Sequence, residues 1–512
     1  MTPTDELFQV IKSLKQTEKR YFKVFASMHD KGENGIYIKL FNVIEKQKEY
    51  DEKLLKEKFK GEVFIRQLTV TKYNLLNLIL KSLRNYYGNV SAVNKANQLL
   101  MNIEILYGKG FYALCKTQID KIKKLADQHE IYGYYMEALD WEKKVIHKQE
   151  FLNSNYSHIE NIVNEGEIAL AKLGNINHFS NLNTKIWYWF RKKGKSRNAG
   201  EYQKHYGAII KDPVLKENNA ITNRSKFSFY SLKALVLNDE KEYEQSLKYS
   251  KKSIDLFEEN PELISQSPDV FLGTIYNLAS DLERLDKNKE AILTLEKVKN
   301  VAMQKAGTKD KILKLRKMQL PLMLKTHIYN KTGEFDKTIA LIPEFEAGVK
   351  DFKDFTTRIK HIIIYNISCA FIGSNNFKNA LKWVGKILNY NKTDLAEHIH
   401  LFAQIINLII HFELRNDEHL AYIVKSTYRY LYKRNRLYKV ESTLLEFIRK
   451  TSTLESRKDF IPAFKELKKK LVVLSKDPYE ARAFEYFDFI SWLDSKIENR
   501  SFAEIIKKKV KS

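Results

Sequence analysis

The sequence has few of the residues that interrupt helices. Its 512 residues include only 8 prolines and 18 glycines, whereas globular proteins use roughly 5% Pro and 7% Gly. β-Sandwiches, propellers, collagen-like arrays and Gly-rich nucleotide-binding sheets depend on these two residues in their turns. We therefore expect few turns, many helices and none of those architectures.

Cysteines and long apolar runs are scarce as well. Cys115 and Cys369 have no second Cys or His at ligand spacing, which argues against a disulfide framework and a zinc finger. Residues 405–412, among the most apolar stretches, fall short of the roughly 20 residues that a transmembrane helix needs. The N-terminal residues carry charges where a signal peptide is apolar. We expect a cytoplasmic protein with reduced thiols and no membrane association.

Hydrophobic and basic residues are both abundant. At 44% hydrophobic and 12% aromatic, the chain can bury enough apolar surface to fold. Its 88 Lys and Arg outnumber its 63 Asp and Glu, which gives a formal net charge of +25. Such a charge favours acidic partners or nucleic acid. The alternative is a compositional bias toward Lys, Asn, Ile and Tyr, with the charges solvated.

A repeated spacing of small residues marks the middle of the chain. Residues 276–299 align without a gap with residues 365–388, and each segment holds two small residues twelve positions apart on either side of a polar turn. Two helices that cross at about 8–10 Å need small side chains at closest approach, so this spacing predicts antiparallel helix pairs. The pairs of positions are Ala234 and Ser246, Ala279 and Ala291, Thr326 and Thr338, Ser368 and Ala380, and, more weakly, Ile409 and Ala421.

These units resemble the tetratricopeptide repeat (TPR), although their period is longer than the usual 34 or so residues of that family. The resemblance covers roughly residues 226–440. It implies an all-α fold: a right-handed α-solenoid of antiparallel helix pairs with helical N-terminal and C-terminal caps. The predicted regions are an N-terminal helical cap (1–90), a divergent helical-repeat region (91–225), a TPR-like repeat region (226–445) and a C-terminal helical cap with a basic tail (446–512).

No catalytic or metal-binding motif stands out. The 12 histidines are scattered, and the closest pair, His398 and His400, falls on different faces of a predicted helix. Residues 191–196 resemble the end of a phosphate-binding loop, but Trp189 occupies the position of its first glycine and no strand precedes it. We therefore expect no enzymatic activity, no cofactor and no metal.

The TPR resemblance implies a non-catalytic scaffold that binds a protein or peptide partner in a concave groove formed by the first helix of each pair. Asn side chains can donate to and accept from a peptide backbone, and Tyr offers flat contact area. The alternative is that these tyrosines pack between helices and the asparagines are solvated. The matching positions are Tyr276, Asn277, Ser280, Arg284, His327, Asn330, Lys331, Tyr365, Asn366 and Cys369.

Two further surfaces suggest an alternative function in nucleic-acid binding or transcription regulation. A helical stripe combines basic and aromatic residues that suit phosphates and unpaired bases, or an acidic partner. Its members are Lys425, Tyr428, Arg429, Tyr432, Lys433 and Arg436. Near the N-terminus, two helices flank Gly61 as in a helix-turn-helix reader, with Arg66, Thr71 and Lys72 available to DNA. A simple helical cap is the alternative there.

Overall fold

The part of the chain that the structure describes is mainly α-helical. The computed structural model describes residues 3–29, 35–152, 154–300, 311–351, 357–390, 397–451 and 457–511. Within those ranges there is no strand, which confirms the all-α prediction. None of the helices in those ranges combines the length and the apolar character that crossing a bilayer requires.

Contacts within the chain define two compact units, and the change from one to the other in sequence falls between Ala169 and Leu170. Three separate apolar clusters occupy the first unit: one formed by residues between Leu7 and Ile79, one by residues between Leu99 and Val145, and a small one formed by Leu139, Ile146 and Ile162. The helices that begin in the first unit are α1 (Pro3–Ser13), α2 (Gln16–His29), α3 (Ile36–Lys46), α4 (Glu52–Lys58), α5 (Leu68–Tyr86), α6 (Ala92–Gly108), α7 (Tyr112–Gln128), α8 (Tyr132–Lys148) and α9 (Tyr156–Lys193), the last of which continues into the second unit.

The second unit is a succession of helix pairs. Its largest core lies between Ile254 and Ile506, and another lies between Phe179 and Leu256. Its helices are α10 (Ala199–Tyr202), α11 (Ala208–Ile210), α12 (Asn223–Asp239), α13 (Tyr243–Glu259), α14 (Pro261–Gln266), α15 (Pro268–Arg284), α16 (Asn288–Asn300), α17 (Lys311–Lys331), α18 (Phe335–Ala340), α19 (Ile342–Asp351), α20 (Thr357–Gly373), α21 (Phe377–Leu388), α22 (Glu397–Glu413), α23 (Asp417–Lys433), α24 (Lys439–Thr451), α25 (Arg457–Leu474), α26 (Phe489–Ile497) and α27 (Phe502–Lys511).

Neighbouring helices of the second unit pack in pairs, as the spacing of small residues predicts. Helix α12 packs against α13, α15 against α16, and α20 against α21. The first helices of successive pairs, α15, α17, α20 and α22, also pack against one another. The ten predicted groove residues lie on α15, α17 and α20. Together with Asp239 on α12 and Phe402 on α22, they form what is called the inner surface below.

Hydrogen bonds between positions twelve apart explain why small residues recur at this spacing. The Ser246 hydroxyl donates to the carbonyl oxygen of Ala234 at 3.0 Å, and the Thr338 hydroxyl donates to that of Thr326 at 3.3 Å. The Cys115 thiol makes the same contact with the carbonyl oxygen of Ile103 at 3.6 Å. Each contact requires the side chain of the second helix to reach the backbone of the first, so a small residue is needed at the crossing point.

The prediction for the weakest pair was wrong by one residue. Ala421 is exposed, whereas Leu408 and Leu420, twelve apart and each one position earlier, are completely buried. In the other pairs the turn residue with positive φ lies seven positions after the first small residue, as Asp286 does after Ala279. Because Arg415 is the turn residue here, the crossing point lies at Leu408 rather than at Ile409.

Candidate interaction surfaces

Much of the predicted groove is occupied by contacts between its own helices. Asn366 is buried, and its side-chain amide donates to the Thr326 hydroxyl at 3.0 Å. The Asn330 amide donates to the carbonyl oxygen of Asn366 at 2.7 Å, and its own side-chain oxygen accepts from Thr338 at 2.9 Å. These two asparagines therefore join α17 to α20, a role that neither of the two readings from sequence included.

A charged contact joins α17 to α15. The Lys331 ammonium lies 2.7 Å from a carboxylate oxygen of Glu283 and 2.9 Å from one of Asp286. His327 lies 3.6 Å from the same Glu283 carboxylate. Burial alone would raise the pKa of Glu283, but the neighbouring His327 and Lys331 hold it well below its ordinary value. Two of the predicted groove residues thus keep a buried carboxylate ionised.

The other predicted groove residues on α15 differ in their accessibility. Arg284 donates to the side-chain oxygen of Asn238 on α12. Ser280 donates to the carbonyl oxygen of Tyr276, one turn earlier in the same helix, at 2.9 Å. Asn277 and Ser280 are both half-exposed. The open part of the inner surface therefore includes this stretch of α15 and the half-exposed His327 on α17.

Part of the inner surface is covered by the chain itself. Residues 475–488, called the connector below, link α25 to α26 and contain a 3₁₀ turn at Glu480–Glu485. The Tyr365 hydroxyl donates to the carbonyl oxygen of Tyr486 at 3.3 Å. The Tyr486 ring stacks on Phe402, with ring centres 3.9 Å apart and planes at 12°. An irregular segment of this chain thus lies against the first helices α20 and α22.

Burial also determines the chemistry of Cys369 on this surface. The residue is only 6% exposed, and burial raises the pKa of its thiol to about 12, although a hydrogen bond to Tyr365 acts in the opposite direction. A thiol with that pKa is protonated at neutral pH and is a poor nucleophile. Cys369 therefore serves as a packed core residue in this structure.

Three charged side chains hold the connector in place. Glu480 accepts the backbone N–H groups of Lys439 and Val440 at 2.9 and 3.0 Å, at the N-terminus of α24, where the helix dipole favours a carboxylate. Arg482 donates to the carbonyl oxygen of Asp239 at the end of α12. Glu485 lies 3.0 Å from the Lys195 ammonium. The connector is therefore tied to three separate parts of the second unit.

The loop after α9 forms a second set of buried ion pairs. Arg197 donates to both carboxylate oxygens of Glu441, at 2.8 and 3.2 Å, and the two side chains are 6% and 0% exposed. The residues lie 244 positions apart. Sequence reasoning missed this pair, because charged residues so far apart share no periodic pattern.

The basic aromatic stripe is exposed on α23, except for its last member. Tyr428 and Tyr432 are 46% and 64% exposed, and their rings lie nearly parallel with centres 5.9 Å apart. The exposed cations beside them are Lys425, Arg429 and Lys433. The exposed α23 face, as it is called below, consists of these five residues.

Arg436 does not belong to the exposed α23 face. It lies beyond the end of α23, is 6% exposed, and donates to Glu201 at 3.0 Å. The spacing that placed it on the stripe assumed that the helix continues past Lys433, whereas the chain turns at Asn435, which has a positive φ.

Two of the three residues predicted to contact DNA in the helix-turn-helix hypothesis are buried. Lys72 is 5% exposed and donates to the Tyr50 hydroxyl at 2.6 Å and to Glu52. Thr71 is 8% exposed and donates to the carbonyl oxygen of Gln67. Only Arg66 is exposed. The two buried side chains stabilise the first unit and are not available to a DNA groove.

Neither metal-ligand geometry nor similarity assigns a chemistry to these surfaces. Among the residues with described positions, no group of three or more His, Cys, Asp or Glu side chains is arranged to hold a metal ion. No protein-family model, curated protein or solved structure matches the chain. The contacts of the inner surface and of the exposed α23 face are therefore the observations that bear on function.

Proposed function

We propose that this protein is a non-catalytic, cytoplasmic scaffold that binds a segment of a partner protein on the inner surface of a TPR-like, right-handed solenoid of helix pairs. One observation supports this most directly. The inner surface already holds an irregular segment, the connector, through a hydrogen bond to its backbone, a ring stack and the ion pair between Arg482 and Asp239. A surface with these properties suits a second peptide segment beside the first.

The half-exposed part of α15 and α17 is the place for that segment. Asn277 and His327 offer polar groups there, and the hydroxyl of Ser280 donates within its own helix turn. Polar side chains on neighbouring first helices can fix the register of an extended peptide by bonding to its backbone. The net charge of +25 on the chain raises the encounter rate with an acidic segment.

A blocking substitution tests this proposal. Peptides selected from a random library on the full-length protein are expected to bind at least tenfold more weakly to Ser280→Arg, because the longer side chain fills the surface between α15 and α17. The matched control is Ser265→Arg on α14, where the serine is exposed, and it should bind as the unmodified protein does. Equal binding by both variants, or no enriched peptide, would contradict the proposal.

The exposed α23 face supports a second candidate function, binding of single-stranded nucleic acid. Stacking of a base on an aromatic side chain contributes about 1–3 kcal/mol, and two exposed tyrosine rings lie here between three exposed cations. If all three cations contact phosphates, the logarithm of affinity for a random oligonucleotide should fall with the logarithm of salt concentration with a slope of roughly −2.

Charge reversal distinguishes this function from general attraction to a basic protein. Arg429→Glu with Lys433→Glu should abolish oligonucleotide binding. The control, Lys507→Glu with Lys508→Glu, makes the same change of charge at exposed positions on α27. It should retain most of the oligonucleotide binding. Equal losses in both double variants would exclude a specific α23 site, and binding of an acidic peptide alone would assign the face to a protein partner.

A further inference from the structure

A small cavity lies in the second unit where the loop after α9, helix α22, the turn after α23 and the connector meet. Five basic side chains and one histidine line it, and about 20 Å³ is open to the centre of a water-sized molecule. A space of that size suits an ion or a water rather than an organic metabolite. The six side chains are Lys193, Lys195, Arg197, Arg436, Arg482 and His398.

The carboxylates that balance these cations do not line the cavity. Arg197 pairs with Glu441 at 2.8 Å, and Lys195 pairs with Glu485 at 3.0 Å. Arg436 pairs with Glu201, Lys193 with Glu397, and Arg482 with Asp239. Within the described part of the chain, no carboxylate is among the cavity's lining residues. The ion pairs therefore fix the cations in place and leave the cavity itself positively lined.

Four nitrogen atoms of the lining residues have no hydrogen-bond partner within the described part of the chain. They are Nε of Arg197, Nε and Nη1 of Arg482, and Nδ1 of His398. The two arginines are only 6% and 4% exposed, so their unpaired N–H groups are not compensated by bulk water. A buried donor without an acceptor costs roughly 1–3 kcal/mol, and more when it is charged. Unpaired donors on two arginines beside one cavity call for a ligand that only accepts hydrogen bonds.

The pKa values of two lining residues also indicate a positively charged environment. Burial lowers the pKa of Lys195 to about 8, and the neighbouring Arg284 contributes to this fall although Glu485 opposes it. Burial together with Arg358 and Arg436 lowers the pKa of His398 to about 3, so its ring is neutral at pH 7. Gly194 packs directly against that ring: a Cβ on Gly194 would come within 3.0 Å of it.

From the lining and its unpaired donors we infer that this cavity binds a small inorganic anion. An anion accepts from all the free N–H groups at once, whereas a water molecule would have to direct its own two hydrogens toward cations. The bound ion would link the loop after α9 to the connector and so stabilise the second unit. The cavity is separate from the half-exposed part of α15 and α17 that is proposed for the partner segment, and anion binding does not depend on that segment.

The first test is the thermal stability of the full-length protein at constant ionic strength. Sodium gluconate is replaced by sodium chloride in one series and by sodium phosphate in another. Tm should rise along a saturating curve in at least one series, and the series in which it rises identifies the ion. In the proposed site the Nδ1–H tautomer of His398 donates to the ion, so His398→Phe removes a donor without changing the charge at pH 7 and should weaken the apparent affinity at least tenfold. His400→Phe is the matched control, because His400 does not line the cavity.

Bromide provides a second test that needs no variant. Crystals of the unmodified protein grown with bromide should show an anomalous peak within about 3.5 Å of a guanidinium nitrogen of both Arg197 and Arg482. If Tm shows no saturating rise in chloride or in phosphate, the inference is wrong. Equal affinities in the two histidine variants, or a cavity without bromide, would also overturn it.

Discussion

The small residues at the crossing points explain most of what the sequence predicts correctly. Ala279, Ala291, Ser368 and Ala380 are all completely buried, because each lies where two helices of a pair approach most closely. Sequence reasoning missed the equivalent pair formed by Ile103 and Cys115. The residue type at the first position of each pair is less restricted than we expected. The side chain at the second position needs to reach only the backbone carbonyl group of the first.

Enlarging a crossing-point residue should destabilise the second unit. We expect Ala380→Leu to lower the free energy of unfolding by about 1–3 kcal/mol, because the larger side chain overfills the contact between α20 and α21. Ala421→Leu, at an exposed position, should change it by less than about 0.5 kcal/mol. Urea denaturation followed by circular dichroism measures both. Similar losses in the two variants would show that Ala380 does not mark a helix contact.

A buried histidine should make stability fall in mild acid. His361 is 2% exposed and lies against Tyr390, and burial, with Lys360 and His400 contributing, lowers its pKa to about 4. Between pH 6.5 and 4 the unfolded chain binds a proton at this residue that the folded chain does not, so its contribution to stability is present above pH 6.5 and falls as the pH drops through that range.

A substitution isolates this contribution. His361→Phe keeps an aromatic ring against Tyr390 and removes the titrating group, so the unfolding midpoint should fall less between pH 6.5 and 4 than in the unmodified protein. His419→Phe changes an exposed histidine and should leave the pH profile as it is. Profiles of the unmodified protein and His361→Phe that run parallel would refute the assignment.

The turns between helices account for the scarcity of glycine. Most of them use a residue with positive φ, followed by a residue whose N–H bonds to the carbonyl oxygen five positions earlier, as Lys287 bonds to Leu282 and Asn376 to Phe371. Asp286, Asn375 and Arg415 adopt this conformation without being glycine. Sequence reasoning therefore placed the turns by composition alone, and at Arg415 this led to the error of one residue.

Two glycines of the second unit should respond to alanine in opposite directions. Gly333 has φ 71° in the turn after α17, and a Cβ there would lie 3.0 Å from the carbonyl oxygen of Ala503. Gly333→Ala should therefore cost at least about 1–2 kcal/mol. Gly273 lies inside α15 with open space around it, so Gly273→Ala should gain about 0.5–1 kcal/mol. Denaturation curves in which both changes have the same sign would contradict this account of the turns.

At the scale of the whole molecule, the sequence predicts the helices and their pairing but not the contacts that cover the inner surface. Lys195 and Glu485 lie 290 positions apart, and Arg482 lies 243 positions from Asp239. Such contacts depend on the tertiary fold. Nothing in the sequence around one of these residues indicates which distant residue it pairs with. For the same reason the ten groove residues could be placed on the first helices without any indication that the connector covers some of them.

The central claim is that the first helices of the second unit hold the connector as a bound peptide segment. Amide hydrogen exchange of the full-length protein, resolved along the chain by mass spectrometry, tests it most directly. The account predicts that residues 480–487 exchange as slowly as the middle of α20 and α22, because Glu480, Arg482 and Phe487 are buried there. Complete exchange of these residues within seconds, while α20 and α22 stay protected, would contradict it.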